Sequence, residues 1–73
     1  MNVNLSDNLS KETKFLIFCI EIYKFAKNLT GEQVMALFTN RGVTDYILSF
    51  YEALHTTGSQ YIIEDIDLFL EAR

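Results

Sequence analysis

The feature that most constrains this chain is the segment Phe15–Leu29, which is apolar on nearly every side. Phe15, Phe18, Cys19, Ile22, Phe25, Ala26 and Leu29 recur at three-and-four spacing and define one face of a helix. Leu16, Ile17, Ile20 and Tyr23 lie off that face, so the polar residues left are essentially Glu21, Lys24 and Lys27. A helix of this kind must be covered on nearly all sides. It is therefore expected either at the centre of the fold or with part of its surface against another chain.

The chain has only 73 residues with which to provide that cover. A core of this size rarely supplies more than about 3–5 kcal/mol, and small domains usually add a disulfide, a metal or a partner. One cysteine excludes an internal disulfide. One cysteine and one histidine do not complete a zinc site without carboxylates at a suggestive spacing, and none is visible. Burial against a partner is the remaining route. A 49% hydrophobic content with ten aromatics excludes disorder for most of the chain.

Residues 1–9 read as a flexible polar arm, and 10–73 as a single helical domain. Ser10 is placed to cap the first helix. Thr30, with Gln33 three residues on, has the spacing of a capping box for a second helix ending near Gly42. Thr44 is expected to cap a third, carrying Tyr46, Ile47, Phe50, Tyr51 and Leu54 and ending near His55. After the Thr56–Ser59 turn, Tyr61–Ile63 is β-branched and aromatic and reads as a short extended corner. Ile62, Ile66, Phe69 and Leu70 then define a fourth helix with Glu64, Asp65 and Asp67 at its start. The fold class is all-α, a compact bundle of about four helices with a helix-turn-helix-like central pair.

Charge is uneven. Up to Gly42 the chain carries a net +1, whereas from Val43 on six acids oppose only Arg73. The pair of helices around Gly42 has a DNA-binding outline, but the outward candidates on its second helix are Thr44, Asp45, Ser49 and Glu52, and no Lys or Arg occurs between Gly42 and Ala72. Nucleic acid is therefore a poor ligand for this half, and a solvated acidic face or a basic protein surface is the better expectation. Catalysis at His55 would need an orienting partner, a nucleophile or water site and a concave pocket, and no diagnostic spacing supplies them. A histidine at a helix end more often bonds the last carbonyls. Glu64, Asp65, Asp67 and Glu71 do not follow a calcium-loop pattern, and Cys19 has no adjacent base. No cofactor is implied. The lone thiol and the lack of an apolar leader or span point to a cytoplasmic protein away from the membrane.

Several stretches are distinctive together: Phe15–Lys24, Thr30–Phe38, Val43–Ile47, Leu54–Gly58 and Glu64–Ile66. In these the chain resembles a family of short bacterial proteins classed only as a domain of unknown function. Members of that family are often encoded beside small proteins resembling ADP-ribosyltransferase toxins, so the resemblance implies a toxin–antitoxin or related two-component arrangement. It implies no catalytic residues. The leading expectation is a non-enzymatic protein-interaction module that neutralises a neighbour-encoded protein. Tyr46, Tyr51, Tyr61, Glu64, Asp65, Asp67, Ile17 and Tyr23 are the candidate interface, and a homodimer through the first helix is a further expectation. The alternative is a helix-turn-helix-like regulator or autorepressor.

Overall fold

The computed structural model describes residues 8–72, so the expected arm over 1–9 falls outside it except at Asn8 and Leu9. Helix α1 spans Lys11–Lys27, α2 Gly31–Asn40, α3 Val43–Ser49, α4 Tyr51–Leu54 and α5 Ser59–Glu71. The fold is all-α, with no strand among the described residues. No helix there is long and apolar enough to cross a membrane.

Local chemistry sets most boundaries. The Ser10 hydroxyl accepts from the Thr13 amide at 3.1 Å and starts α1. At the other end Asn28 takes a left-handed conformation (φ 55°), which lets the Leu29 amide reach the Lys24 carbonyl at 3.0 Å and closes the helix. Thr30 and Gln33 form the expected reciprocal box, with bonds of 3.1 and 2.9 Å. Helix α2 stops at Arg41–Gly42, where Gly42 adopts φ 79°.

Two expectations about the second half are corrected. Tyr61–Ile63 is helical, because α5 begins at Ser59 directly after Gly58. Buried Ile62 and half-buried Ile63 pack on the core as helical neighbours, so apolar contact overrides β propensity. Consequently Glu64, Asp65 and Asp67 sit in the middle of α5, and its first turn contains no acid. Thr44 does not cap α3. The helix starts two residues earlier, at Val43, with Gly42 at the cap position and no side-chain cap bond. The third helix is also broken at Phe50 (φ −107°, ψ 23°), which separates α3 from the single turn α4.

The core has a simple arithmetic. Each of the four longer helices contributes one pair of buried residues spaced four apart: Cys19 and Tyr23, Val34 and Phe38, Val43 and Ile47, Ile62 and Ile66. Helix α1 packs against α2, α3 and α5 and is central, as its apolar content requires. Its inward face differs from the expected stripe, however. Cys19 and Tyr23 point inward with Leu16 and Ile20 at their edge, while Phe18, Phe25 and Ala26 are exposed. On a helix apolar nearly all round, spacing alone does not choose the buried side. The choice here follows Tyr23, whose ring lies 5.4 Å from that of the fully buried Phe38.

The Gly42 turn orients α3 against α2. A Cβ at Gly42 would meet nothing within 4 Å, so the only obstacle to a side chain is the backbone conformation. Gly42→Ala should therefore lower unfolding free energy by about 1–2 kcal/mol, and Gly42→Asn by less, in urea denaturation. Equal stability of all three chains would show that the turn carries no such strain.

Candidate functional site

The described surface contains one shallow groove of note, where α3 meets α5. Gly42, Asp45, Tyr46, Ser49, Phe50 and Phe69 line its volume of about 270 Å³. Tyr46 is the keystone. Its ring lies 4.5 Å from Phe69 and 5.0 Å from Phe50, and its hydroxyl donates to Asp65 Oδ2 at 2.6 Å. That bond, followed by partial burial, pushes the Tyr46 phenol up to about 12, so it stays a neutral donor. The groove thus has an aromatic floor, with the exposed Asp45 carboxylate at its edge.

A second tyrosine–aspartate contact lies between α1 and α5. Tyr23, only 4% exposed, donates its hydroxyl to Asp67 Oδ1 at 2.6 Å, while Lys27 Nζ meets Asp67 Oδ2 at 2.6 Å. Burial chiefly, then the Asp67 bond and charge, raise the Tyr23 phenol well above its usual range. At Asp67 partial burial alone would raise the carboxyl, but the bonds from Lys27 and Tyr23 outweigh it and the net direction is down. Both phenols donate to aspartate side chains on α5, an arrangement that fastens helices.

The eight residues picked out from the sequence therefore divide. Tyr23, Asp67, Tyr46 and Asp65 are engaged inside the fold in these two contacts. Tyr51 is half-buried, edge-on to Phe15 at 5.5 Å and stacked on His55 at 4.3 Å. Tyr61 (55% exposed), Ile17 (46%) and Glu64 face solvent, Glu64 accepting from Gln60 at 2.9 Å. Sequence reasoning placed Phe50 and Phe69 in helical stripes and missed their part in the groove. It also missed Leu68, which is exposed next to Phe69 on α5. The spacing Tyr46–Phe50 on one side and Asp65–Phe69 on the other, each i to i+4, was the available signal.

Other residues with chemical potential have structural employment. His55 Nδ1–H donates to the Tyr51 carbonyl at 2.8 Å at the end of α4. Cys19 is fully buried, and burial pushes its thiol up to about 12, which keeps it protonated. Among the described residues no group of three or more His, Cys, Asp or Glu is placed to hold a metal ion. Cations are largely matched with acids: Lys24 to Glu21 at 2.8 Å, Lys27 to Asp67, and Lys11 to Glu52 at 4.0 Å. The Arg41 guanidinium donates to the Leu70 carbonyl at 2.9 Å.

With this geometry in view, residues 14–73 match the family model described as Protein of unknown function (DUF3791). The chain belongs to that family. Comparison with curated proteins and with solved structures returns no match. The matched span of this DUF3791 protein runs from the first turn of α1 onward and includes the Tyr23, Tyr46, Asp65 and Asp67 contacts.

The pH behaviour follows from the two contacts. Asp67 has a lowered folded-state pKa, so its contribution is present above the unfolded value near 3.8 and is lost as pH falls through the folded one. Tyr46 has a raised one, so its contribution is present below the unfolded value of 10.0 and is lost as pH rises toward about 12. Denaturation by urea should give a plateau near neutrality that falls below about pH 5 and above about pH 10. Tyr23→Phe should flatten the acid arm. An acid arm unchanged in that variant would disconnect Asp67 from it.

Proposed function

We propose that this DUF3791 protein is a non-enzymatic protein-binding module of the cytoplasm, acting as an antitoxin-like neutraliser of a neighbour-encoded protein. The observation that carries this reading is the α3–α5 side of the molecule. There Phe50 (53% exposed) and Asp45 line an aromatic-floored groove between the helices, and Tyr61, Leu68 (64%), Glu64 and Glu71 are exposed on α5. Large apolar side chains set in a polar rim are the composition of a recognition surface. Aromatic anchors of this kind dominate binding energy where they fill a partner's pocket. The sequence resemblance to proteins encoded beside ADP-ribosyltransferase-like toxin candidates supports the choice of partner.

The acid rim favours a basic partner surface. Asp65 and Asp67 are held by tyrosines and Glu52 lies 4.0 Å from Lys11, so the acids left to meet a partner are Asp45, Glu64 and Glu71. Steering by such a surface weakens as ionic strength rises.

A helix-turn-helix-like regulator is the other reading, and the Arg41–Gly42 turn between α2 and α3 supplies its outline. Asp45 at the start of α3, together with the pairing of Lys11, Lys24 and Lys27 to acids, favours protein over phosphate.

The test is to mix the purified chain with the neighbour-encoded protein, following both co-elution and that protein's activity. A stable complex with suppressed activity is expected. Phe50→Ala and Tyr61→Ala should each weaken it by about tenfold or more while changing the melting temperature little. Absence of both co-elution and any change in activity would overturn the proposal.

A further inference from the structure

A different surface carries an inference that does not rest on the reading above. We propose that the outer face of α1 pairs with the same face of a second copy of this chain, antiparallel, about a two-fold axis passing between Ile17 and Phe18.

The inward direction of α1 is set by Cys19 and Tyr23, both buried. At 100° per residue, Lys14, Ile17, Phe18, Glu21 and Phe25 fall on the opposite half of the helix. Ile17, Phe18 and Phe25 are 46, 45 and 78% exposed, so this strip presents an apolar centre to solvent. No residue of it lines the α3–α5 groove.

Charge chooses the occupant. Lys14 lies three residues before Ile17, and Glu21 lies three residues after Phe18. The strip therefore has one cation and one anion at equal distances from its apolar centre. A two-fold axis at that centre reverses the second helix, bringing each copy's Lys14 to the other copy's Glu21 and each Ile17 to the other's Phe18. Such self-matching is the requirement of an isologous interface. A parallel, in-register pair would set Lys14 against Lys14 and Glu21 against Glu21. A uniformly basic or acidic partner would satisfy only one end.

The ends are available for this pairing. Among the described residues Lys14 forms no ion pair. Glu21 meets Lys24 through both oxygens, closely at 2.8 Å and loosely at 3.4 Å, and a carboxylate has acceptor capacity for a second cation. A contact confined to one helix per copy falls below the roughly 1,200 Å² of standard interfaces, so the association belongs in the micromolar range.

Sedimentation equilibrium of the full chain from low to high micromolar concentration tests the proposal. The native mass should rise with concentration toward twice the 8.5 kDa of one chain. Lys14→Glu should weaken the dimer by at least about tenfold, because two attractions become two repulsions, and adding Glu21→Lys in the same chain should restore it. Circular dichroism checks that these exposed substitutions leave the helices intact. A native chain monomeric throughout, or a dimer whose strength ignores the single change or is not restored by the double one, overturns the proposal. Binding of a neighbour-encoded protein is read separately, through Phe50 and Tyr61.

Discussion

The fold depends on how Tyr23 is buried. Of the eight residues that form the central cluster, it alone brings a hydroxyl, and that hydroxyl must find a partner. Asp67 provides it from α5, and Lys27, one turn beyond Tyr23 on α1, holds the other carboxylate oxygen. The ring can then lie against Phe38 while its polar tip emerges at the edge of the core. A hydrogen bond to an ionised group contributes about 1.5–3 kcal/mol, whereas the Lys27–Asp67 pair, about a third exposed on both sides, adds no more than ~1 kcal/mol. The phenol is thus the stronger fastener, and the lysine mainly keeps the carboxylate ionised and aimed.

This arrangement has a counterpart on α3. Tyr46 reaches Asp65 as Tyr23 reaches Asp67, so α5 is gripped from two sides by tyrosines on different helices. The two acids are separated by one residue, which on a helix turns their side chains by about 200° toward the two flanking partners. Ile62 and Ile66 fill the arc between them and face the core. The acidity of the C-terminal half consequently has two parts: an inner pair that organises the fold, and an outer set of which Glu52 meets Lys11 and Asp45, Glu64 and Glu71 face solvent.

Most elements governed by local rules were legible in the sequence, the Thr44 cap excepted. Ser10, the Thr30–Gln33 box, the Gly42 turn and the helix end at His55 all depend on neighbours within four residues, and each is where the pattern placed it. Elements governed by long-range contact were not. The buried side of α1 is decided by Phe38 and Asp67, far away in sequence, while the Phe18–Phe25 spacing is equally good helical grammar. Tyr61–Ile63 has strand-like composition but lies in α5, where Ile62 closes the core. The candidate interface suffered from the same limit: composition marks tyrosines and acids as surface-forming, and only the fold shows four of them bonded to each other. What remains exposed includes an aromatic, acid-rimmed α3–α5 side and an apolar α1 strip, two surfaces with different charge patterns.

The most direct measurement of this account is a double-mutant cycle on unfolding free energy, using Tyr23→Phe, Asp67→Ala and the pair together. Fastening of α5 to α1 by the phenol predicts a coupling of about 1–2 kcal/mol between the two sites. Additive effects, agreeing to within about 0.3 kcal/mol, would contradict it and leave α5 held by apolar packing alone.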